Sequence, residues 1–259
     1  MNILYDIYSI VWREVKRYSK SKFGVLIRLI QPLIWIIVVG NTFTETSPLI
    51  ASVGFSGDYM QFITPGIIIL TAIFTSIFGG VNTLWDRRYG FINKVLISPI
   101  SRSSIALGKM IAISIIATVQ SCLILGISFL IGVAIPTYFN LLFVITVIIL
   151  FSLGFSGISV IVASLARSQE TFWATINFLG MPLFMLSPAL FPLELLPPWL
   201  STVAKLNPVT YTIILIRDVM NEQTNTNHLE IGLFIIICFA FIITIIASFV
   251  FTRDMKKPF

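Results

Sequence analysis

Apolar blocks of about 20 residues recur along this chain, the length an α-helix needs to cross roughly 30 Å of hydrocarbon. They fall near 25–43, 62–84, 110–133, 141–165, 172–190 and 231–251. Of the 259 residues, 57% are apolar and only 11% charged, against about 25% charged in an ordinary soluble domain. The blocks do not alternate residue by residue as barrel strands do, and lipid offers no partner to the backbone of an open strand. The sequence therefore predicts an all-α integral membrane protein with six transmembrane helices.

Charge sidedness orients it. With the N-terminus in the cytoplasm, Arg13, Lys16, Arg17, Lys20, Lys22, Arg28, Arg87, Arg88, Lys94, Arg102, Lys109, Arg167, Arg253, Lys256 and Lys257 all lie inside or at the inner boundary. Only Lys205 and Arg217 lie outside. The positive-inside rule then places both termini in the cytoplasm and the chain in the cell membrane. The net charge of +6 belongs to this asymmetry, and no nucleic-acid partner is expected. The basic residues at 13–22 precede a first span of full length, so the start does not read as a cleavable signal.

Residues 1–24 form a unit ahead of the six-span domain, 25–259. Ile3, Leu4, Ile7, Tyr8, Ile10, Val11, Val15 and Tyr18 share one helical arc; Asp6, Ser9, Arg13, Lys16, Arg17 and Lys20 share the opposite one. Trp12 lies near the border and Glu14 is the misfit. Such a helix lies in the inner headgroup layer, with its basic face toward anionic lipid or a partner.

Between spans five and six the outer segment 187–220 is rich in proline yet still apolar. Pro197 and Pro198 suit the first turn of a short helix. Asn207-Pro208 pairs an N-cap with a first-turn proline. The helix from Val209 to about Met220 covers only ~18 Å at 1.5 Å per residue. Two short re-entrant helices are expected, dipping into the outer leaflet and buried by protein.

Little in the spans carries chemistry. No Asp, Glu or His stands mid-span, which argues against a proton relay or ion-coupled carrier. Arg28 and Lys109 lie at inner ends, where long side chains can snorkel. The stretch GFSG at 154–157 resembles the Gly-x-Ser-Gly stretch of rhomboid intramembrane proteases. Its nucleophile, Ser156, would need a base, and the one histidine, His228, lies in the outer segment before span six. The same four letters recur at 54–57, and the small residues suit close helix packing. Cys122 and Cys238 read as packing residues within spans. Gln120 and Asn177 suit hydrogen bonds between helices, and Asn177 is also a candidate for cargo contact. Gly108-Lys109-Met110 is no P-loop, because Ser103 and Met110 stand where Gly and Ser or Thr are required. No catalytic residue, metal site or bound cofactor is expected.

One polar run separates spans two and three: WDRRYGFINKVLISPISRSSIALGK, residues 85–109. Tyr89, Phe91, Ile92, Val95, Leu96 and Ile97 interleave with Arg87, Arg88 and Lys94, so a helix here shows a greasy edge and a basic edge. Ser98-Pro99 ends it, and Ser101 or Ser103 can cap the next helix.

This run resembles the cytoplasmic loop of the ABC-2 type exporter permeases, a family that includes daunorubicin-resistance-type drug exporters and exporters of polysaccharide or nodulation factor. Asn93 stands where an acidic residue is common. The stretch 59–68, with Pro65-Gly66, resembles the family's approach to span two. Phe191-Pro192, Leu196-Pro197, Trp199, Asn207-Pro208, Tyr211 and Arg217 resemble its outer signature. The resemblance implies a permease that pairs with a second copy or a paralogue and with two separate ABC ATPase subunits, which hold ATP and Mg. It makes 85–109 the coupling loop, docking the ATPase through Trp85, Arg87, Arg88, Tyr89, Phe91, Lys94 and Arg102. It sets spans two and five along the path, with Phe172, Trp173, Asn177, Phe178, Phe184 and Met185 as lining candidates. Phe191, Pro192, Trp199, Asn207, Pro208, Tyr211 and Arg217 would build the outer gate. The implied cargo is an amphipathic drug, a lipid or a lipid-linked glycan. The alternatives weighed against it are an intramembrane serine protease and an ion-coupled carrier.

Overall fold

A computed structural model describes residues 3–42, 59–90, 100–134, 137–221 and 226–255. Among these residues every regular element is a helix. In chain order they are α1 (Ile3–Lys20), α2 (Lys22–Ile34), which continues through a π-helical stretch (Trp35–Val39) and a last turn (Gly40–Thr42), α3 (Tyr59–Gly79) and α4 (Val81–Arg88). Then come α5 (Arg102–Leu130), α6 (Tyr138–Leu165), α7 (Gln169–Met185), α8 (Pro198–Lys205), α9 (Pro208–Met220) and α10 (Thr226–Asp254). Four helical segments are long and apolar enough to cross a membrane: Tyr59–Arg88, Arg102–Leu130, Tyr138–Leu165 and Leu229–Asp254. A fifth is added if Ile3–Lys20 and Phe23–Val39, which meet at 78°, count as one broken span. The expected fifth span is α7, only 17 residues long.

α3 is the hub. It carries no charged residue, and a helix this apolar is stable only when surrounded. Ile63, Ile67, Ile68, Ile69, Ala72, Ile73 and Ile77 are fully enclosed by α2, α5, α6, α7 and α9. Two hydrogen bonds tie it to α5: Thr75 donates to the Gln120 side-chain carbonyl, and Ser121 of α5 donates to the Ile68 carbonyl at 3.2 Å, while Thr64 and Thr71 donate to carbonyls of α3 itself. The expected inter-helix role of Gln120 is thus borne out. α10 packs along α6 and α5 and leaves Phe234, Phe241, Ile245 and Phe249 exposed on its other side, a face suited to lipid. Where α10 crosses α6, Phe239 and Ile243 lie directly on Gly154 and Gly157. Ser156 is buried and its hydroxyl donates to Leu153 of its own helix at 2.7 Å. The GFSG stretch is a packing surface, as close helix approach requires.

At one end of the bundle lie α1, α4 and the start of α5; we call this the basic end. A small apolar cluster there, including Ile10, Ile105, Met110, Val160, Ala247 and Phe251, joins α1, α5, α6 and α10. The opposite, far end carries α8 and α9. Both begin as the sequence signals: Pro198 opens α8, and Asn207 caps α9 by accepting from the Val209 amide at 3.0 Å.

Candidate functional site

The basic end is built on α4. This helix stops at Arg88 because Gly90 takes φ +69, a left-handed conformation natural to glycine, while Tyr89 and Gly90 amides return to the Trp85 and Arg87 carbonyls at 2.9 and 3.0 Å. The expected single helix through 85–97 is therefore interrupted at its fifth position. Phe91 and Lys94 lie outside the described residues. Ser101 caps α5, accepting from the Ser104 amide at 3.1 Å, with half-buried Arg102 in the first turn.

The remaining docking candidates divide. Arg88 and Tyr89 point outward, and Trp85 stacks on Tyr89 at 5.3 Å. Arg87 turns inward instead. Its guanidinium pairs with Asp254 on α10 at 2.8 Å and donates to Ser164 and Ala163 carbonyls at the end of α6, at 2.6 and 3.3 Å. Arg87 thus fastens α4 to the ends of two long helices. An open cleft of about 1030 Å³ lies beside it, between α4, the turn at 164–170 and Asp254.

Beneath α1 sits a buried charge cluster. Asp86 of α4 receives Arg13 at 2.6 Å and Arg17 at 3.1 Å, both from α1. Lys109 of α5 reaches Asp86 and, at 3.2 Å, Glu14. Glu14 also pairs with Arg13 and, at 2.7 Å, with Arg17. Glu14, Asp86 and Lys109 are 6%, 6% and 2% exposed. Two expectations are corrected here. Lys109 does not snorkel: α1 lies across the start of α5, so closely that a Cβ on Gly108 would fall 2.8 Å from Ile10, and the ammonium meets two carboxylates before water. Nor does the polar arc of α1 face outward as a whole, for Arg13 and Arg17 turn toward Asp86 while Lys16 and Lys20 stay exposed. Glu14 explains itself: it breaks the apolar arc because its face is buried against charges. Asp86 and Glu14 were absent from the site candidates, although the misfit at Glu14 was a legible signal. The expected apolar arc is split: Ile3, Leu4 and Tyr8 remain exposed beside Tyr5 and Trp12, with Tyr8 and Trp12 stacked at 6.4 Å, a strip suited to lipid, while Ile10 is buried against the bundle and Ile7, Val11, Val15 and Tyr18 are half-buried.

Burial pushes the Glu14 carboxyl up, but Lys109, Arg13 and Arg17 outweigh it and hold the group below its ordinary range. A depressed carboxylate stabilises the fold fully above its unfolded pKa and loses that contribution as pH falls through the folded value. Docking of α1 should therefore persist through mildly acidic pH and fail only below the ordinary glutamate range. Hydrogen exchange of the α1 backbone amides, measured at each of a series of pH values and corrected for the intrinsic exchange rate, reads this directly.

The path candidates on α7 also divide. Phe172, Ile176, Gly180 and Phe184 recur every fourth residue and bury against the bundle, Phe172 and Phe184 almost completely. Trp173, Asn177, Phe178 and Met185 occupy the exposed face. Asn177 bonds its own helix at the Trp173 carbonyl, 2.8 Å, and Trp173 meets Phe78 of α3 edge-on at 5.3 Å.

At the far end Arg217 is buried, not solvated. It donates to the Phe62 carbonyl at 3.2 and 3.3 Å and to Pro188 at 2.7 Å, with its guanidinium 3.7 Å above the Phe62 ring. Asn207 additionally donates to Leu183 at 2.6 Å, and Tyr211 to Lys205 at 2.8 Å. Pro192 is buried, while Phe191 and Trp199 are exposed. Pro208 occupies the first turn of α9. The Pro65-Gly66 pair is where this segment lands on α3: a Cβ on Gly66 would fall 2.6 Å from the Ala189 carbonyl.

A conserved pattern of known transporters spans this architecture. The family model described as ABC-2 type transporter matches residues 5–221, from α1 through α9. The chain belongs to the ABC-2 type transporter family. It is a multi-pass membrane protein of the permease kind, whose family members lack an ATPase site and work with an ABC ATPase. Relatives include a protein named transport permease ycf38 from Cyanophora paradoxa, 29% identical over 85% of this chain and 75% of its own length. Nodulation protein J of Rhizobium leguminosarum bv. trifolii is 26% identical over 81% of this chain and 79% of its own. The Escherichia coli K12 protein named multidrug ABC transporter permease YbhR is 26% identical over 60% and 42%.

Proposed function

We propose that this ABC-2 permease is the membrane-spanning half of an exporter in which two copies, or one copy and a paralogue, enclose the path of an amphipathic drug, lipid or lipid-linked glycan. Two separate ATPase subunits, holding ATP and Mg, drive it from the cytoplasm. On this reading the six spans are α2 with its π stretch, α3 with α4, α5, α6, α7 and α10. α1 lies in the inner interface, α8 and α9 re-enter from the outer leaflet, and both termini are cytoplasmic.

The observation that carries the reading is the mounting of α4. Its outward residues, Arg88 and Tyr89, stand on a helix fastened by Asp86 to α1 and α5 and by Arg87 to α6 and α10. A partner pressing there moves four helices together, as rigid-body transmission requires. Aromatic and arginine anchors supply the contact and orient it.

The test is co-purification with ABC ATPase subunits pulled down from the native host. Arg88→Glu combined with Tyr89→Asp should weaken the complex by about 2–4 kcal/mol, roughly 30-fold or more, while the permease alone melts as wild type. An unchanged yield of ATPase would remove docking from this surface.

A further inference from the structure

The backbone ladder of the hub helix is interrupted at Gly80: α3 stops at Gly79 and α4 starts at Val81. Ser159 of α6 sits at this break. Its hydroxyl accepts from the Gly80 amide at 2.8 Å and donates to the Ile77 carbonyl, so one fully buried side chain holds both sides. We propose that Ser159 is a positioning residue, the clasp of a two-state joint between α3 and α4, and that α4, once unclasped, joins α3 as one unbroken helix. The inference rests on the exporter reading and names the place where a push on α4 becomes a change in the hub.

Three observations support it. The first is that each group at the joint has a second partner waiting. In an unbroken helix the Ile77 carbonyl takes the Val81 amide and the Gly80 amide takes the Ser76 carbonyl. Val81 opens α4, and its amide is among the donors that a helix start leaves without an intrahelical acceptor. The Ser159 hydroxyl can turn to the Phe155 carbonyl four residues back, as Ser164 does to Val160 at 2.8 Å. Thr83 completes the set: it is 1% exposed, and its hydroxyl has no partner among the described residues. On α3, Thr64 and Thr71 donate to carbonyls four residues back, and an unbroken ladder gives Thr83 the Gly79 carbonyl in the same way. Leaving a buried hydroxyl unpaired is costly, so Thr83 draws the joint toward the second state.

The second is the glycine pair. A Cβ on Gly79 would fall 2.6 Å from Ile113 of α5, and one on Gly80 would fall 2.6 Å from the Ser159 carbonyl. Only glycine allows so close an approach, and helices kink where glycine or an inserted side chain interrupts the ladder. The third is the order in which the ties to α6 give way. Arg87 holds the end of α6 through the Ser164 and Ala163 carbonyls and also pairs with Asp254. Ser159 holds α6 about one turn further in, through a neutral hydroxyl. Charge-assisted bonds are roughly twice as strong as neutral ones, so force on α4 is released first at Ser159.

The experiment is residue-resolved hydrogen exchange on the purified full chain in lipid nanodiscs, first without ATPase. Ser159→Ala removes one oxygen and should slow exchange of the Val81 amide about tenfold, because that amide gains an acceptor. Gly80→Ala forces the clasp apart sterically and should slow Val81 as well. Ser152→Ala removes another buried hydroxyl of α6, one with no partner among the described residues, and should change nothing at 77–84. A Ser159 that only packs the helices predicts the opposite sign. Val81 exchange that is unchanged or faster in Ser159→Ala, with the melting curve intact, overturns the clasp. The complex pulled down with ABC ATPase subunits is then measured with and without a non-hydrolysable ATP analogue. Nucleotide should slow Val81 of the wild type toward the Ser159→Ala value and leave Ser159→Ala unmoved. A wild-type complex whose Val81 ignores nucleotide overturns the use of the joint in coupling. Since the first arm contains no ATPase, its outcome is independent of the docking test.

Discussion

Asp86→Asn should detach α1 from the bundle and destabilise the permease by about 3 kcal/mol. The substitution preserves shape, removes the charge and turns one of the two accepting oxygens into a donor. Asp86 is the common acceptor of Arg13, Arg17 and Lys109. Without it, three cations share Glu14, and one of them, Lys109, has a side chain only 3% exposed. The Arg13 and Arg17 side chains are 30% and 41% exposed, so water screens their share to ~1 kcal/mol or less each. Most of the loss therefore comes from the buried ammonium, because breaking one side of a buried pair strands the other. The double variant Asp86→Asn, Lys109→Met should recover most of it, since Glu14 keeps both arginines and no unpaired charge remains inside. Thermal melting in detergent and trypsin access at Arg17–Lys20 measure the effect. A double variant as unstable as the single one would show that shape or backbone, and not charge, holds α1.

The parts of this fold that sequence made visible are those with a local cause. Apolar length marked the long helices, and Ser101, Pro198 and Asn207-Pro208 marked helix starts that the structure keeps. What stayed hidden depends on distant partners. Arg87 and Arg88 are adjacent and chemically identical, yet one is claimed by Asp254 of α10, 167 positions away by numbering (254 − 87), and the other is left for a partner. On α7 apolar residues surround the helix, so periodicity could not tell the buried Phe172 and Phe184 from the exposed Phe178. Lys109 lies in the opening turns of its long helix, as the sequence indicates, but in a different environment from the one expected, because only the fold shows that α1 roofs it. A charged residue out of phase on an amphipathic helix, as Glu14 is, was the one local sign of a non-local contact.

Arg217→Met should loosen the far end while leaving the basic end intact, at a cost of about 3 kcal/mol. Methionine fills the volume but withdraws donors from the carbonyls of Phe62 and Pro188. Hydrogen bonds from a charged donor contribute about 1.5–3 kcal/mol each, and stacking on Phe62 at 3.7 Å adds roughly 1–2 kcal/mol in a desolvated site. Against this stands the desolvation of the buried guanidinium, which the variant recovers, so the net falls below the sum. The location gives the loss its consequence. Phe62 precedes Pro65, the point where α3 already lacks one backbone donor; Pro188 begins the segment leading to α8 and α9. Arg217 is thus the tie between the hub helix and the far-end cap. Arg217→Lys should retain the charge but fail to bridge both carbonyls, because an ammonium lacks the planar fork, and should fall between wild type and Arg217→Met. Hydrogen exchange should accelerate across 187–220 in both variants while α5 and α6 stay protected. Export should slow with ATPase co-purification unchanged. Exchange at 187–220 that matches wild type in Arg217→Met would mean that apolar packing by Val209, Ile213 and Ile216, all fully buried, holds the cap without the arginine.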